Sequence, residues 1–199
     1  MLLMGLLALA VALAAAALLI RARQQPAAGA GTTLGLSPAT PFMLTDQNGQ
    51  RVSLSQFRGE PVVLTFLYTS CPDVCPLIAD KLHQTYNLLG GRASHVGILA
   101  ITTDPAHDDR AAAVRFSQEH GMTGRWHFLL GSPAQLAPLW KDYYIGVSPI
   151  ASDAPSGSGS VMHSDAVYVI DRSGRERTLY GADFEPKLLA HELEGLLAA

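Results

Sequence analysis

The chain has 199 residues, a formal net charge of −3 at neutral pH and 16% charged residues. No basic run occurs among its 14 Lys and Arg residues, so the composition excludes a nucleic-acid-binding stripe and predicts no nucleic-acid partner. The length suits one domain with a sizeable hydrophobic core and additional segments.

Residues 2–20 form an unbroken apolar stretch, LLMGLLALAVALAAAALLI. A stretch of this length is just enough for a helix that crosses a bilayer, and no basic residue precedes it as in a signal peptide. We therefore predict a single transmembrane anchor over residues 1–22, with a cleaved signal peptide as the alternative. Arg21 and Arg23 follow the span, and the positive-inside rule by itself would keep that side cytoplasmic.

Residues 23–39 are rich in Ala, Gly, Thr and Pro, and no charge follows Arg23 within them. This composition is typical of a flexible linker. A folded domain is predicted over residues 40–199. It opens with two short segments, residues 42–44 and 51–54, on either side of an Asn-Gly turn, which predicts an N-terminal β-hairpin.

The central stretch of the domain reads VVLTFLYTSCPDVCP. Its continuous apolar and β-branched start, residues 62–67, predicts a strand buried on both faces. Apolar residues then recur at helical spacing, which predicts a helix over 76–89 that ends at a Gly-Gly pair. The only two cysteines of the sequence, Cys71 and Cys75, therefore fall where a buried strand turns into a helix.

The remaining patterns alternate between strand and helix. They predict strands at 95–103, 126–130, 166–171 and 175–180, and helices at 108–120, from 133 and from 186. Parallel strands joined by helices, followed by an antiparallel hairpin, indicate an α/β fold. Pro138 falls inside the helix that begins at 133, so we expect a kink or a split there. Residues 148–160 are Gly- and Ser-rich and predict a loop.

The spacing of the two cysteines has chemical consequences. Residues four apart in or near a first helical turn project from one face, so both sulfurs are expected to point the same way. They would lie beside the unpaired amides of a helix N-terminus, which favour the thiolate over the thiol. Two adjacent thiolates can form a disulfide, attack one, or bind a soft metal. Two inert structural cysteines are the alternative.

One of the seven histidines is a candidate third ligand. His163 follows the Gly/Ser loop and immediately precedes a strand, and ligands in α/β sheets collect near strand and loop ends. Two sulfurs and one nitrogen suit Cu(I) and are acceptable to Cu(II), whereas zinc would usually take a fourth ligand. The other histidines are expected on helix surfaces (His83, His120, His191), without a clustered partner (His95, His107), or hydrogen-bonded in the core (His127).

Three stretches, TFLYTSCPDVCP, ITTDPAHDD and MHSDAVYVIDRSGR, resemble the signature blocks of the SCO/SenC family of copper proteins, in that family's order. The resemblance covers about residues 40–199. It implies a thioredoxin-like fold, a membrane anchor, and a site in which Cys71, Cys75 and His163 bind copper as Cu(I) or Cu(II). Leu67 stands where the family usually has glycine. This departure changes none of the three ligands that the resemblance implies.

The resemblance also implies a function. It indicates a metallochaperone that delivers copper to the dinuclear copper (CuA) site of cytochrome c oxidase during its assembly. Expected partners are the copper-bearing oxidase subunit and other periplasmic copper chaperones. The soluble domain is then expected on the periplasmic side of the cytoplasmic membrane, against the charges that flank the anchor.

Three other functions compete with copper delivery. A membrane-anchored thiol–disulfide oxidoreductase would use both cysteines as redox-active groups to reduce the cysteines of the same copper site. Thioredoxin-like reductases use Cys-x-x-Cys and a cis-proline, whereas here the spacing is one longer and residues 161–164 read Val-Met-His-Ser. A peroxiredoxin-type peroxidase fits poorly because Leu64 and Tyr68 stand where its motif has proline and threonine. A copper or redox sensor that signals to a partner is the third alternative. Copper delivery is favoured because His163 has no task in a reductase.

Overall fold

The structure is a computed structural model that describes residues 29–146 and 165–199. The predicted anchor, residues 1–22, and the predicted ligand His163 lie outside these ranges. No helix of the described residues is long and apolar enough to cross a membrane. The transmembrane anchor therefore stays a prediction.

The described strands form a single mixed sheet of eight strands, in the order β1-β8-β7-β4-β5-β6-β2-β3. Their bounds are β1 Thr32–Thr33, β2 Met43–Asp46, β3 Arg51–Ser53, β4 Val62–Leu67, β5 Gly97–Thr102, β6 His127–Leu130, β7 Val167–Ile170 and β8 Glu176–Tyr180.

The described residues also contain four α-helices and two short 3-10 helices. The α-helices are α1 Val74–Leu89, α2 Arg110–Glu119, α3 Pro133–Asp142 and α4 Pro186–Ala198, and the 3-10 helices are Leu54–Phe57 and Gly90–His95. Each strand and helix predicted for these parts of the chain is present, with its ends within two residues of the prediction. The predicted α/β architecture with an N-terminal hairpin is confirmed.

The middle of the sheet positions the cysteines. Strand β4 pairs in parallel with β5, from Val62 opposite Gly97 to Leu67 opposite Thr102. Strand β7 runs antiparallel on the other side of β4, with Val167 opposite Thr65. The ends of β4 and β5 and the start of β7 therefore meet at one edge of the sheet. All six residues of β4 are buried, as the apolar run predicts.

Two hydrophobic layers cover the faces of the sheet. One layer lies between the sheet and helices α1 and α4, and contains Leu67, Leu82 and Leu193. The other packs the β2–β3 hairpin and α3 against the sheet through side chains such as Phe66 and Leu139. Burial of each such side chain stabilises the fold by about 1.5–3 kcal/mol. Strand β4 is covered on both faces, so packing fixes the position of the residue from which the cysteine turn begins.

The N-terminal residues of the described chain differ from the expected linker. Residues 29–39 lie along β8, where Thr32 pairs with Leu179 and the Ala39 amide donates to the Gly174 carbonyl oxygen at 3.0 Å. A Cβ atom on Gly31 would lie 2.3 Å from a Thr178 side-chain atom, so glycine allows this close approach. Composition alone cannot reveal this pairing because the partner strand is distant in sequence.

Helix α3 contains Pro138 and nevertheless continues from Pro133 to Asp142. Of the expected kink or split, the split is therefore wrong, and the kink stays a prediction. Ser132 and Gln135 form a capping box at its start, and Leu136 and Leu139 bury its inner face. Capping and burial compensate for the hydrogen bond that the proline cannot donate.

We expect Pro138→Ala to raise the free energy of unfolding by about 1–3 kcal/mol, because alanine restores an amide donor inside the helix and Pro138 is exposed. Urea unfolding monitored by circular dichroism measures the change. Pro133→Ala is the matched control, because Pro133 occupies the first position of the same helix and its missing amide has no intrahelical acceptor. An equal gain in both variants would contradict the explanation.

Candidate metal centre

Cys71 and Cys75 lie at the sheet edge where β4 gives way to α1. The helix begins at Val74, two residues before the predicted start, so Cys75 is its second residue. The Cys75 backbone amide donates a hydrogen bond to the Cys71 sulfur, with 3.4 Å between the nitrogen and Sγ. Both cysteines are buried, with 7% of Cys71 and none of Cys75 exposed. The turn and the helix thus bring the two predicted thiols together.

The Cys71 thiol is the easier of the two to ionise. Burial alone would raise its pKa, but hydrogen bonds from the backbone amides of Asp73 and Cys75 and from the side chains of Cys75 and Tyr68 outweigh burial. The pKa of Cys71 is therefore lowered from its ordinary value. This agrees with the predicted effect of helix N-terminal amides on a nearby sulfur.

The Cys75 thiol behaves in the opposite way, which corrects the expectation that both thiols ionise readily. Complete burial raises the pKa of Cys75 far above its ordinary value, and the nearby charges of Cys71 and Asp108 raise it further. A hydrogen bond with the Tyr68 backbone acts against this rise without reversing it. The apo site therefore pairs one ionisable thiol with one protonated thiol.

We expect Cys71 to be alkylated more than about tenfold faster than Cys75 near neutral pH, because the thiolate is the nucleophile. Since its pKa is lowered, the rate for Cys71 should also rise at lower pH than the rate for Cys75. Iodoacetamide labelling of Cys75→Ser, which leaves Cys71, and of Cys71→Ser, which leaves Cys75, measures each thiol separately by mass spectrometry. Equal rates, or faster labelling of Cys75, would show that the assigned asymmetry is wrong.

Tyr68 is a further residue of this site. Its ring is 3% exposed, and its side chain hydrogen-bonds with the Cys71 thiol. Burial and then this hydrogen bond raise the pKa of Tyr68, so its hydroxyl stays protonated and can donate to the sulfur. The sequence gives no signal for this role beyond the position of Tyr68, three residues before the first cysteine.

A second loop runs beside the cysteine turn. The Thr103 amide donates to the Leu67 carbonyl oxygen at 2.9 Å, which extends the β4–β5 pairing beyond the strands. This loop carries Asp104 and Asp108, whose charges act on Tyr68 and Cys75 respectively. The sequence signal for this proximity is the block ITTDPAHDD, which directly follows the strand parallel to β4.

Five of the six described histidines have a hydrogen-bond or ion-pair partner, and the sixth, His191, is exposed. His127 Nδ1 donates to the Asp46 carboxylate at 2.9 Å, which fits the predicted hydrogen-bonded histidine. His83 and His120, expected on the surface, are half-buried, and His120 lies 2.7 Å from Asp80. The histidines expected without partners also have one, with His107 Nδ1 2.8 Å from Asp104 and His95 Nδ1 3.6 Å from Glu60.

The third predicted ligand cannot be placed beside the cysteines, because His163 lies outside the described residues. Within residues 29–146 and 165–199, no group of three His, Cys, Asp or Glu side chains is arranged to hold a metal ion. The two thiols are soft donors, so they fit a soft ion that takes its remaining ligand from elsewhere.

The fold and the site define a thioredoxin-like α/β protein with paired thiols at a strand–helix junction. A sequence model of the family described as SCO1/SenC matches residues 32–198. The match extends over most of the chain, so the protein belongs to the SCO1/SenC family. This confirms the resemblance found in the sequence blocks.

Two relatives show how far the similarity extends. The mitochondrial SCO2 homologue of Mus musculus is 32% identical over 160 residues, which cover 79% of this chain and 62% of that protein. An SCO2-like protein of Rickettsia prowazekii is 26% identical over 147 residues, which cover 74% of this chain and 71% of that protein. The chain thus spans less than two thirds of the length of the mouse protein.

Two solved structures share the fold. Copper-bound ScoI of Bradyrhizobium japonicum has a TM-score of 0.72 and 28% identity, with 81% of this chain and 100% of that chain covered. Apo Sco1 of Thermus thermophilus has the same TM-score and identity, with 84% of this chain and 96% of that chain covered. The relatives thus include structures with and without copper.

Proposed function

We propose that this protein is a copper metallochaperone that binds copper through Cys71, Cys75 and His163. The observation that carries the proposal is the pair of thiols at the end of β4, held close enough for the Cys75 amide to bond the Cys71 sulfur at 3.4 Å. The similarity to copper-bound ScoI, at 28% identity over the whole of that chain, supports copper as the ion.

The donor set fits the cargo. Two thiolates favour a soft ion such as Cu(I), and an imidazole makes the site acceptable to Cu(II). Cys71, with its lowered pKa, is the thiol that offers a thiolate to incoming metal first. Cys75 must lose its proton for the second sulfur to bind, and that proton leaves to solvent.

The proposed acceptor is the dinuclear copper site of cytochrome c oxidase, and the proposed partner is the subunit that carries it. Residues 1–22 would anchor the chain in the cytoplasmic membrane, with the domain on the periplasmic side beside the assembling oxidase. Other periplasmic copper chaperones are proposed as donors. The fully buried Cys75 suits this task, because a sulfur that is costly to ionise binds metal less tightly and releases it more readily.

Copper analysis of the purified protein tests the proposal. One Cu(I) per chain, retained through gel filtration and transferred to the apo copper-binding domain of the oxidase subunit, is the expected result. Ultraviolet absorption of the copper–thiolate bond and mass spectrometry follow the ion in donor and acceptor. A protein that stays free of metal but rapidly reduces a disulfide in that acceptor would instead identify a thiol–disulfide oxidoreductase.

A further inference from the structure

Asp108 is a buried carboxylate that the copper site does not use as a ligand. It is 7% exposed and accepts three short hydrogen bonds. Oδ1 accepts from the Thr69 amide at 2.9 Å and from the Thr69 hydroxyl at 2.6 Å, and Oδ2 accepts from the Thr102 hydroxyl at 2.5 Å. Hydrogen bonds to a charged acceptor are about twice as strong as neutral ones.

These bonds join two elements at the sheet edge. Thr102 is the last residue of β5, and Thr69 lies in the turn after β4, two residues before Cys71. Asp108 itself is fixed because its amide donates to the Asp104 carbonyl oxygen at 2.9 Å. The carboxylate therefore attaches the cysteine turn to the end of the neighbouring strand.

The rest of the turn is also held by hydrogen bonds. The Cys71 amide donates to the Tyr68 carbonyl oxygen at 3.4 Å, and the Cys71 sulfur accepts from the Cys75 amide at the same distance. The first is long for a hydrogen bond to oxygen, and the second is ordinary for the larger sulfur atom. The short bonds to Asp108 connect Thr69, at the start of this turn, to Thr102 at the end of β5.

We propose that Asp108 is a positioning residue for copper binding: through Thr69 it holds the Cys71 sulfur where it can share an ion with Cys75. The proposal rests on the proposed copper-binding function. Residues that orient metal ligands without touching the metal typically contribute about 10–100-fold to metal affinity. Loss of the Asp108 carboxylate should therefore weaken the site without removing any ligand.

A purely structural role is the competing explanation, and Asp171 provides a matched control for it. Asp171 also accepts three bonds through one carboxylate, from the Ser173 amide at 2.9 Å, the Ser173 hydroxyl at 2.7 Å and the Arg175 amide at 3.0 Å. It follows β7 at the opposite edge of the sheet, because Ile170 pairs with the first residue of β4. Replacing Asp171 by alanine therefore removes a similar set of hydrogen bonds from a turn that is far from the cysteines.

The test compares Asp108→Ala, Asp108→Asn and Asp171→Ala in the full chain loaded with Cu(I). We expect copper to dissociate to a chelator at least about tenfold faster from Asp108→Ala, and within about twofold of the wild-type rate from Asp171→Ala. Asp108→Asn should restore most of the wild-type rate. Its amide oxygen can still accept from Thr69, and the Thr102 hydroxyl can turn to accept from the amide nitrogen.

A second readout uses no copper and reports on the Cys71 sulfur directly. We expect iodoacetamide to label Cys71 at least about threefold faster in Asp108→Ala than in Asp171→Ala at high pH, where the thiol is ionised, because a released turn exposes the sulfur. In the Cu(II)-loaded protein, the thiolate-to-copper absorption band should shift in Asp108→Ala and stay unchanged in Asp171→Ala.

Thr69→Val, which removes one hydroxyl donor and keeps the amide, replaces Asp108→Ala if that variant does not fold.

Each outcome decides a separate point. Equal copper dissociation and equal Cys71 labelling in the Asp108 and Asp171 variants would overturn the positioning role. If the wild-type protein binds no copper, the proposed function fails, and the labelling rates still decide whether Asp108 places Cys71. Faster copper dissociation from Asp108→Ala, together with a near-wild-type rate in Asp108→Asn, supports both the copper-binding function and the positioning role of Asp108.

Discussion

Replacing Cys75 by alanine is expected to lower copper affinity at least about a thousandfold, or about 4 kcal/mol, while the domain stays folded. The substitution removes one of two soft donors and leaves Cys71 and His163 with an under-coordinated ion. Cys75 is fully buried in the first turn of α1, so the lost burial of one sulfur should lower the free energy of unfolding by only about 1–2 kcal/mol. Dialysis of the Cu(I)-loaded variant against a chelator measures retention.

Thr85→Ala is the control for this experiment. Thr85 is fully buried in the same helix, and its hydroxyl donates to the Lys81 carbonyl oxygen at 2.9 Å, so the substitution perturbs α1 without touching a thiol. It should keep one copper per chain, and Cys71→Ala should lose copper as Cys75→Ala does. Stoichiometric copper in either cysteine variant after dialysis would show that the site assignment is wrong.

Replacing His163 by alanine is expected to weaken Cu(II) binding at least about tenfold more than Cu(I) binding. Two thiolates alone satisfy the softer ion, which accepts low coordination, whereas the harder Cu(II) gains more from an imidazole nitrogen. Competition with chelators specific for each oxidation state gives the two affinities, and electron paramagnetic resonance reports the loss of nitrogen coordination to Cu(II).

His191→Ala provides the comparison, because His191 is exposed on α4 and has no predicted role as a ligand. It should leave both affinities unchanged. Equal losses of Cu(I) and Cu(II) in His163→Ala, or no loss of either, would count against His163 as a direct ligand and would move the search for the third donor to another residue.

Local sequence patterns were sufficient for the elements that carry the cysteines. The apolar run of β4 and the helical spacing after it each specify an element over a few residues, so the strand, the helix and the turn between them could be predicted with ends correct within two residues. The Asn-Gly turn likewise specifies the N-terminal hairpin through Gly49, which has a positive φ. The two thiols lie side by side because the strand, the turn and the helix follow one another directly in the sequence.

Long-range contacts decided the properties of those thiols. The same helix N-terminus that lowers the pKa of Cys71 does not lower that of Cys75, because Cys75 points into the layer beneath α1 and α4 and is shielded from water. The Asp108 carboxylate reaches Thr69 only because β5 pairs with β4 in parallel. No pattern within the cysteine block encodes either fact.

The same distinction explains two further differences between local pattern and structure. Residues 29–39 have the composition of a linker, and only the position of β8 gives Thr32 and Thr33 their strand partners. Pro138 locally disfavours a helix, and the burial of Leu136 and Leu139 against the sheet helps to keep α3 continuous. Propensity acts through neighbours in sequence, whereas burial and hydrogen-bond partners depend on residues that meet only when the chain has folded, and this is why the sequence determined the position of the site and the tertiary structure its chemistry.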